Sequence, residues 1–338
     1  MPMDSRAIRI INGLQSGFPL LERPFAVAGE PLELSEESLI DGLAELSATG
    51  LITRFGPFYH AERLGGGLTL AALRVPVSDF EWVTEVVNAQ PEVAHNYARE
   101  HAFNMWFVVA TEKREEIPAV LERIQALTSL EVFNLPKIEE YRLGFQVQLD
   151  EHGGIDTTPL FDDPVEEDER CTPDELDRAL IAATQGGLPL VPEPYHRVGG
   201  DIGVTVDTVV ARFQAMLRRG WIRRVGLACN HHRLGLQGNG MSVWDVPDDK
   251  LCVVGNTLSE LDFVTHCYAR PRHPPEWPYN LFVMVHGPNR TAVMDKIRIL
   301  ERIIGKRQRG HLVLHSTRIL KKTGLRIKAP GVTDGCSV

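Results

Sequence analysis

The chain has 338 residues, 43% of them hydrophobic and 24% charged, which suits a soluble globular protein of two or three domains. No apolar run is long enough to span a membrane or to act as a secretion signal, and five scattered cysteines without a Cys-x-x-Cys pair argue against a zinc knuckle or a disulfide framework, so reduced thiols in the cytoplasm are expected. The net charge of −9 is uneven: from Phe263 onward fourteen Lys and Arg face four Asp and Glu, a net of +10 that leaves −19 on residues 1–262 and makes the C-terminal part a candidate anion-binding surface.

In chain order, Ser5 to Leu14 reads as a helix with Ile8, Ile11 and Leu14 at apolar spacing. After a Gly/Pro-broken stretch, Ser35 is a good N-cap. Glu36 and Glu37 follow in the first turn, Leu39, Leu43 and Leu46 form a stripe, and Gly50 ends the helix. Leu51 to Arg54 then reads as the first strand of a wing, so residues 1–62 predict a winged helix-turn-helix. A strand at 68–75, a helix at 79–89, strands at 93–99 and 105–111, a helix at 117–127 and a strand at 130–135 follow. That order is β-α-β-β-α-β, a ferredoxin-like domain over residues 63–149. Residues 150–171 are acid-rich and read as a linker.

The second half repeats the first. Gly50-Leu51-Ile52-Thr53-Arg54-Phe55-Gly56 returns as Gly220-Trp221-Ile222-Arg223-Arg224-Val225-Gly226, and Val93-Ala94-His95-Asn96-Tyr97-Ala98-Arg99 as Val264-Thr265-His266-Cys267-Tyr268-Ala269-Arg270, at an offset of 170 or 171 residues. So steady an offset marks a tandem duplication. A second winged helix-turn-helix is expected over 172–232 and a second ferredoxin-like domain over 233–330, with strands at 240–246, 264–270, 280–286 and 311–319 and helices at 258–262 and 291–304. The two halves are expected to pack as a pseudo-dimer.

Alternate strand residues share a face. His95, Tyr97 and Arg99 should therefore stand together, and likewise His266, Tyr268 and Arg270. A histidine, an aromatic plate and a permanent cation suit a flat aromatic anion, because Arg binds carboxylate bidentately and His exchanges protons near neutral pH. The bland alternative is the polar outer face of a half-buried sheet. After the shared Ala-Arg, the first copy continues through His101 and Asn104. The second inserts Pro-rich residues carrying Arg272, His273 and Trp277 before Asn280. Trp277 could cover a macrocycle or plug a gap. His231 and His232 read as surface residues, and His311 and His315 as possible helpers of an anion site.

The helix-turn-helix followed by a ferredoxin-like domain resembles the Lrp/AsnC regulators. The segments around His95-Asn96-Tyr97-Ala98-Arg99-Glu100-His101 and His266-Cys267-Tyr268-Ala269-Arg270-Pro271, with Trp277-Pro278-Tyr279-Asn280 and His286-Gly287, are similar to one branch of that superfamily, the siroheme decarboxylases. The resemblance covers nearly the whole chain and looks like the fused form of a two-subunit enzyme. It implies removal of carbon dioxide from the C12 and C18 acetates of siroheme, giving 12,18-didecarboxysiroheme for heme d1 or an alternative heme, with iron belonging to the substrate and no further cofactor. His266, His95 and His101 then become candidate acids. Arg270, Arg99, Tyr268, Tyr97, Trp277, Arg272, His273 and Asn280 become candidate substrate-binding residues. The second-half copy, in the basic third of the chain, is expected to be the main catalytic site. Other pathway enzymes and a second copy of the chain are possible partners. A DNA-binding regulator is the rival reading, against which stand Glu36, Glu37, Asp41 and Glu45 on the first recognition-like helix. A non-catalytic tetrapyrrole carrier is a third.

Overall fold

The computed structural model describes residues 3–160 and 172–323. Helix α1 (Ser5–Gly13) is capped by Asp4 and buries Ile8, Ile10 and Ile11. After α2 (Pro24–Gly29), Ser35 caps α3 (Glu36–Ala48), which buries Leu39, Leu43 and Leu46. Strand β1 (Ile52–Tyr59) follows, then β2 (Gly67–Leu73), α4 (Phe80–Ala89), β3 (Val93–Arg99), β4 (Met105–Thr111), α5 (Ile117–Thr128) and β5 (Phe133–Pro136). Three strands come next that the periodicity does not announce: β6 (Glu139–Leu143), β7 (Phe145–Leu149) and β8 (Ile155–Pro159). The acidic segment is thus only partly a linker, since its start closes the β7–β8 hairpin and 161–171 lies outside the described residues.

The second half runs α6 (Glu175–Thr184), α7 (Pro194–Ile202), α8 (Val206–Arg218), β9 (Ile222–Cys229), β10 (Gly238–Trp244), α9 (Asp248–Ser259), β11 (Val264–Ala269), β12 (Leu281–Gly287), α10 (Arg290–Ile304) and β13 (His311–Lys322). Helix α9 corrects the expected helix at 258–262, which is its last turn and exit. Its polar start and interior Gly255 hide it from an apolar-stripe search. Gly255 leaves room for the ring of Tyr141, which a Cβ there would meet at 2.3 Å. No described helix is long and apolar enough to cross a membrane. Cys229, Cys252 and Cys267 are free thiols, and the other two cysteines lie outside the described residues.

The expected wings are not hairpins. β1 and β9 pair with each other, antiparallel, with Gly56 opposite Gly226. An unpaired strand edge demands a partner, and here the partner is the strand's own repeat. The segment after α1 packs closely on this pair: a Cβ at Gly226 would meet the Gln15 carbonyl oxygen at 2.6 Å.

The ferredoxin-like parts join more extensively. One nine-stranded antiparallel sheet runs β5-β2-β4-β3-β13-β10-β12-β11-β6. The long β13 pairs with β10 of its own half and then with β3 of the other. The β5–β6 segment does the same with β2 and β11. Its two strands form opposite edges of the sheet yet are separated by only two residues, so the sheet curls until its edges meet. Helices α4 and α5, and α9 and α10, cover the outer face over two separate cores. Inside lies a third core built by both halves, with Trp106, Phe103, Phe133, Trp277, Phe282 and Leu314. The expected pseudo-dimer is present, with one core shared by its two halves.

Candidate active site

Register fixes which face the repeated motif uses. Tyr97 lies opposite Trp106, and Tyr268 opposite Phe282, both members of the inner core. His95, Tyr97 and Arg99 therefore look inward, as do His266, Tyr268 and Arg270. The two arginines behave alike. Arg99 Nη1 donates to the Leu314 carbonyl at 2.8 Å, and Arg270 Nη1 to that of Leu135 at 2.5 Å. Each guanidinium also lies near its tyrosine ring, at 5.8 Å and 5.1 Å. Burial pushes both down to about 10, so both stay charged at neutral pH. Burial likewise pushes His95 and His266 down to about 4, with Lys322 adding to the effect at His95, whereas Glu140 opposes it at His266. Both imidazoles are neutral at pH 7, and a bound polyanion would favour their protonated form.

Beyond the motif the halves diverge. Next to Arg99 on β3 stands Ser316 on β13; its neighbour His315 pairs with Gly240, and the preceding Asn239 pairs with His286 on β12. A polar row of Arg99, Ser316, Asn239 and His286 thus crosses four adjacent strands. The equivalent row in the other half is Arg270, Lys137, Leu68 and Ala110. Arg99 Nε, Ser316 Oγ, Asn239 Oδ1, both ring nitrogens of His286 and His95 Nδ1 are buried without a hydrogen-bond partner. In the equivalent row Arg270 Nε alone, among the described residues, is in that state. Buried polar atoms left unpaired are costly, so the first-half row has hydrogen-bonding capacity that the equivalent row lacks.

Charge points the same way. Arg99 is 7% exposed and no described carboxylate pairs with it. Arg270 opens on a cavity of about 270 Å³ floored by Leu68, Leu70 and Val108, where the cations are already countered. Lys137 bonds both Glu62 and Glu140, the latter at 2.7 Å, and Arg223 reaches Glu140 at 3.5 Å. The first-half copy thus carries the uncompensated cation, whereas the sequence reading places the main site in the second half for its basic third and its longer, aromatic-bearing loop.

His231 and His232, expected at the surface, are half-buried against the first-half row. They lie in a turn rather than a strand, so their rings sit side by side at 4.5 Å. His231 meets His286 at 5.0 Å, and Phe145 of β7 stacks on His286 at 5.0 Å. The equivalents of these three histidines are Ala61, Glu62 and Ala110. Comparing the two copies position by position would have exposed them, because they are where the repeat breaks.

Other expected site residues are placed elsewhere. Trp277 is 1% exposed and packs on Trp106 at 5.1 Å and Phe103 at 5.5 Å, so it plugs the core and covers no open face. Arg272 is ion-paired to Asp245 and Asp248, and Asn280 holds the backbone of Val246. His273 Nε2 lies 2.7 Å from the Asn134 carbonyl oxygen, tying the halves together. His101 packs on Phe103 and Trp277 beyond the end of β3. His311 stacks on Trp244 on the outer face.

The depressed histidines make an acid-stability prediction. They stay neutral in the folded protein but protonate near their ordinary value of 6.5 when it unfolds. The unfolded state therefore binds more protons between about pH 6.5 and 4, and stability falls as pH drops through that window. The thermal midpoint should decline steadily from pH 7 to pH 4.5; a flat profile would contradict the burial of these rings.

A family model described as the siroheme decarboxylase NirDL-like HTH domain matches residues 8–52 and 177–223, and one described as an AsnC-like ligand binding domain matches 64–142 and 233–321. The chain is 34% identical over 330 residues to the siroheme decarboxylase NirDL subunit of Paracoccus pantotrophus, covering 96% of this chain and 98% of the relative. It is 50% identical over 156 residues to the NirH subunit of the same organism, covering 46% of this chain and 97% of that shorter protein. The crystal structure of the siroheme decarboxylase NirDL in co-complex with an iron-uroporphyrin III analogue superposes with a TM-score of 0.69 at 26% identity, over 95% of this chain and 93% of that one. With both helical and both ferredoxin-like parts matched, and a relative aligned end to end, the chain belongs to the siroheme decarboxylase family.

Proposed function

We propose that this chain decarboxylates siroheme at the C12 and C18 acetates, as a cytoplasmic carboxy-lyase that supplies 12,18-didecarboxysiroheme to heme d1 biosynthesis, and that the first-half site does the chemistry. Its family supports the reaction. The observation that carries the location is Arg99, a buried guanidinium with no carboxylate partner at the head of a row of unsatisfied polar atoms. A buried charge without a counterion is costly, and a substrate carboxylate supplies one. Arg99 is best used on a carboxylate that stays, because ion-pairing the reacting one stabilises the ground state. The pyrrole bearing the acetate is protonated, carbon dioxide leaves into that electron sink to give an exocyclic methylene, and this carbon takes a proton to become methyl as the ring proton is lost, so one proton is consumed per carbon dioxide. His95, with Nδ1 unpartnered, and His266, which faces His231 and His286, are the candidates to exchange the proton. The proposal needs no organic cofactor, and iron enters as part of the substrate.

The test is anaerobic incubation with siroheme and mass spectrometry of the tetrapyrrole. Loss of two carbon dioxide units per molecule is expected. Tight binding with siroheme returned unchanged would make the protein a carrier. The regulator reading is disfavoured by the acids of α3 and by Arg212, whose guanidinium is ion-paired to Asp174 and Asp177.

A further inference from the structure

Each decarboxylation exchanges a carboxylate for hydrogen: R–CH2–COO⁻ + H⁺ gives R–CH3 + CO2. The proposed reaction therefore draws two protons per siroheme into the site, where Arg99 and His286 are buried, and the inference below rests on that reading. One line of imidazoles leads inward. His232 and His231 are half-buried with ring centres 4.5 Å apart, and His231 meets His286 at 5.0 Å. His286 is 3% exposed and ends the line in the polar row, with both ring nitrogens unpartnered.

We propose that His232, His231 and His286 form a relay that carries the consumed proton from solvent to the first-half site, with His286 facing the substrate and the other two acting through it. A neutral imidazole accepts a proton on one nitrogen and releases one from the other; the rings stand close without a direct hydrogen bond, so a ring rotation that brings their nitrogens together passes the proton without the line resting as a string of cations. Burial holds all three below their ordinary value; their mutual repulsion adds to it at His231 and His286, as do His266 of β11 at both, Lys322 of β13 at His231 and His232, and Lys296 of α10 at His286. The device is local to one half, because Ala61, Glu62 and Ala110 occupy the equivalent positions. Phe145 packs against the inner two rings, at 5.8 Å from His231 and 5.0 Å from His286.

The experiment compares the parent chain with His231→Gln and the milder, more exposed His232→Gln in single-turnover decarboxylation of siroheme from pH 6 to 9, with and without dissolved imidazole. Siroheme binding is followed separately by absorbance. The relay expects binding within about twofold of the parent, a rate lowered roughly 10- to 100-fold in His231→Gln, less than the roughly 10²–10⁴-fold worth of a primary acid, a loss that deepens as pH rises, and partial recovery with imidazole. A parental rate in His231→Gln overturns it. So does a slowed variant that imidazole does not recover, because a merely structural role gives that result. Failure of the parent to release carbon dioxide would sink the decarboxylase reading instead, which keeps the two failures distinct.

Discussion

Arg99→Met should leave the protein at least as stable as the parent and weaken siroheme binding by about 10- to 150-fold. The two signs come from one fact. The Arg99 guanidinium is buried with a single neutral partner, the Leu314 carbonyl, and no described carboxylate. Removing it costs the ligand-free protein one hydrogen bond, about 1 kcal/mol, and relieves the larger penalty of an uncompensated buried charge. The complex instead loses a charge-assisted bond worth about 1.5–3 kcal/mol, at about 1.4 kcal/mol per tenfold in affinity. Arg270→Met should weaken binding much less, since Arg270 already feels Glu62 and Glu140. Thermal unfolding and absorbance titration of both variants measure this. A larger loss of affinity in Arg270→Met than in Arg99→Met would return the chemistry to the second half.

Trp277→Ala should destabilise the fold by about 3–5 kcal/mol, the usual cost of emptying a large aromatic from a core, and a sizeable share of the roughly 5–15 kcal/mol that holds a domain together. The ring enters from the Pro-rich insert of the second half and packs between Trp106 and Phe103 of the first, with Tyr279 and Phe282 at its flank. Losing it therefore loosens the seam between the halves. Trp277→Phe refills part of the space and should recover most of the stability, with siroheme affinity unchanged per folded molecule. A Phe variant that is stable but binds siroheme poorly would restore the idea that the indole covers the macrocycle.

Much of this protein is legible locally. The Ser35 cap and the Leu39, Leu43 and Leu46 stripe specify a helix from within one segment. The two-residue period places His95, Tyr97 and Arg99 on one face, and the steady offset of the repeat announces two equivalent halves. These features are local or self-comparing, so the sequence by itself determined them. Which half is equipped was not legible in the same way. The row that completes Arg99 comes from Ser316, Asn239 and His286, more than 130 residues away, and joins it only because β13 outgrows its own half and pairs with β3. The neutralisation of the second-half site by Glu62 and Glu140 depends likewise on β6 reaching β11. Net charge counts cations without their partners, so it does not show that Arg270 is countered and Arg99 is not, and of the two readings open for Trp277 the plug is chosen only when the opposite half closes over it. Strand pairing between the repeats was decided by tertiary structure, since a strand's hydrogen-bonding edges carry no mark of which partner will meet them.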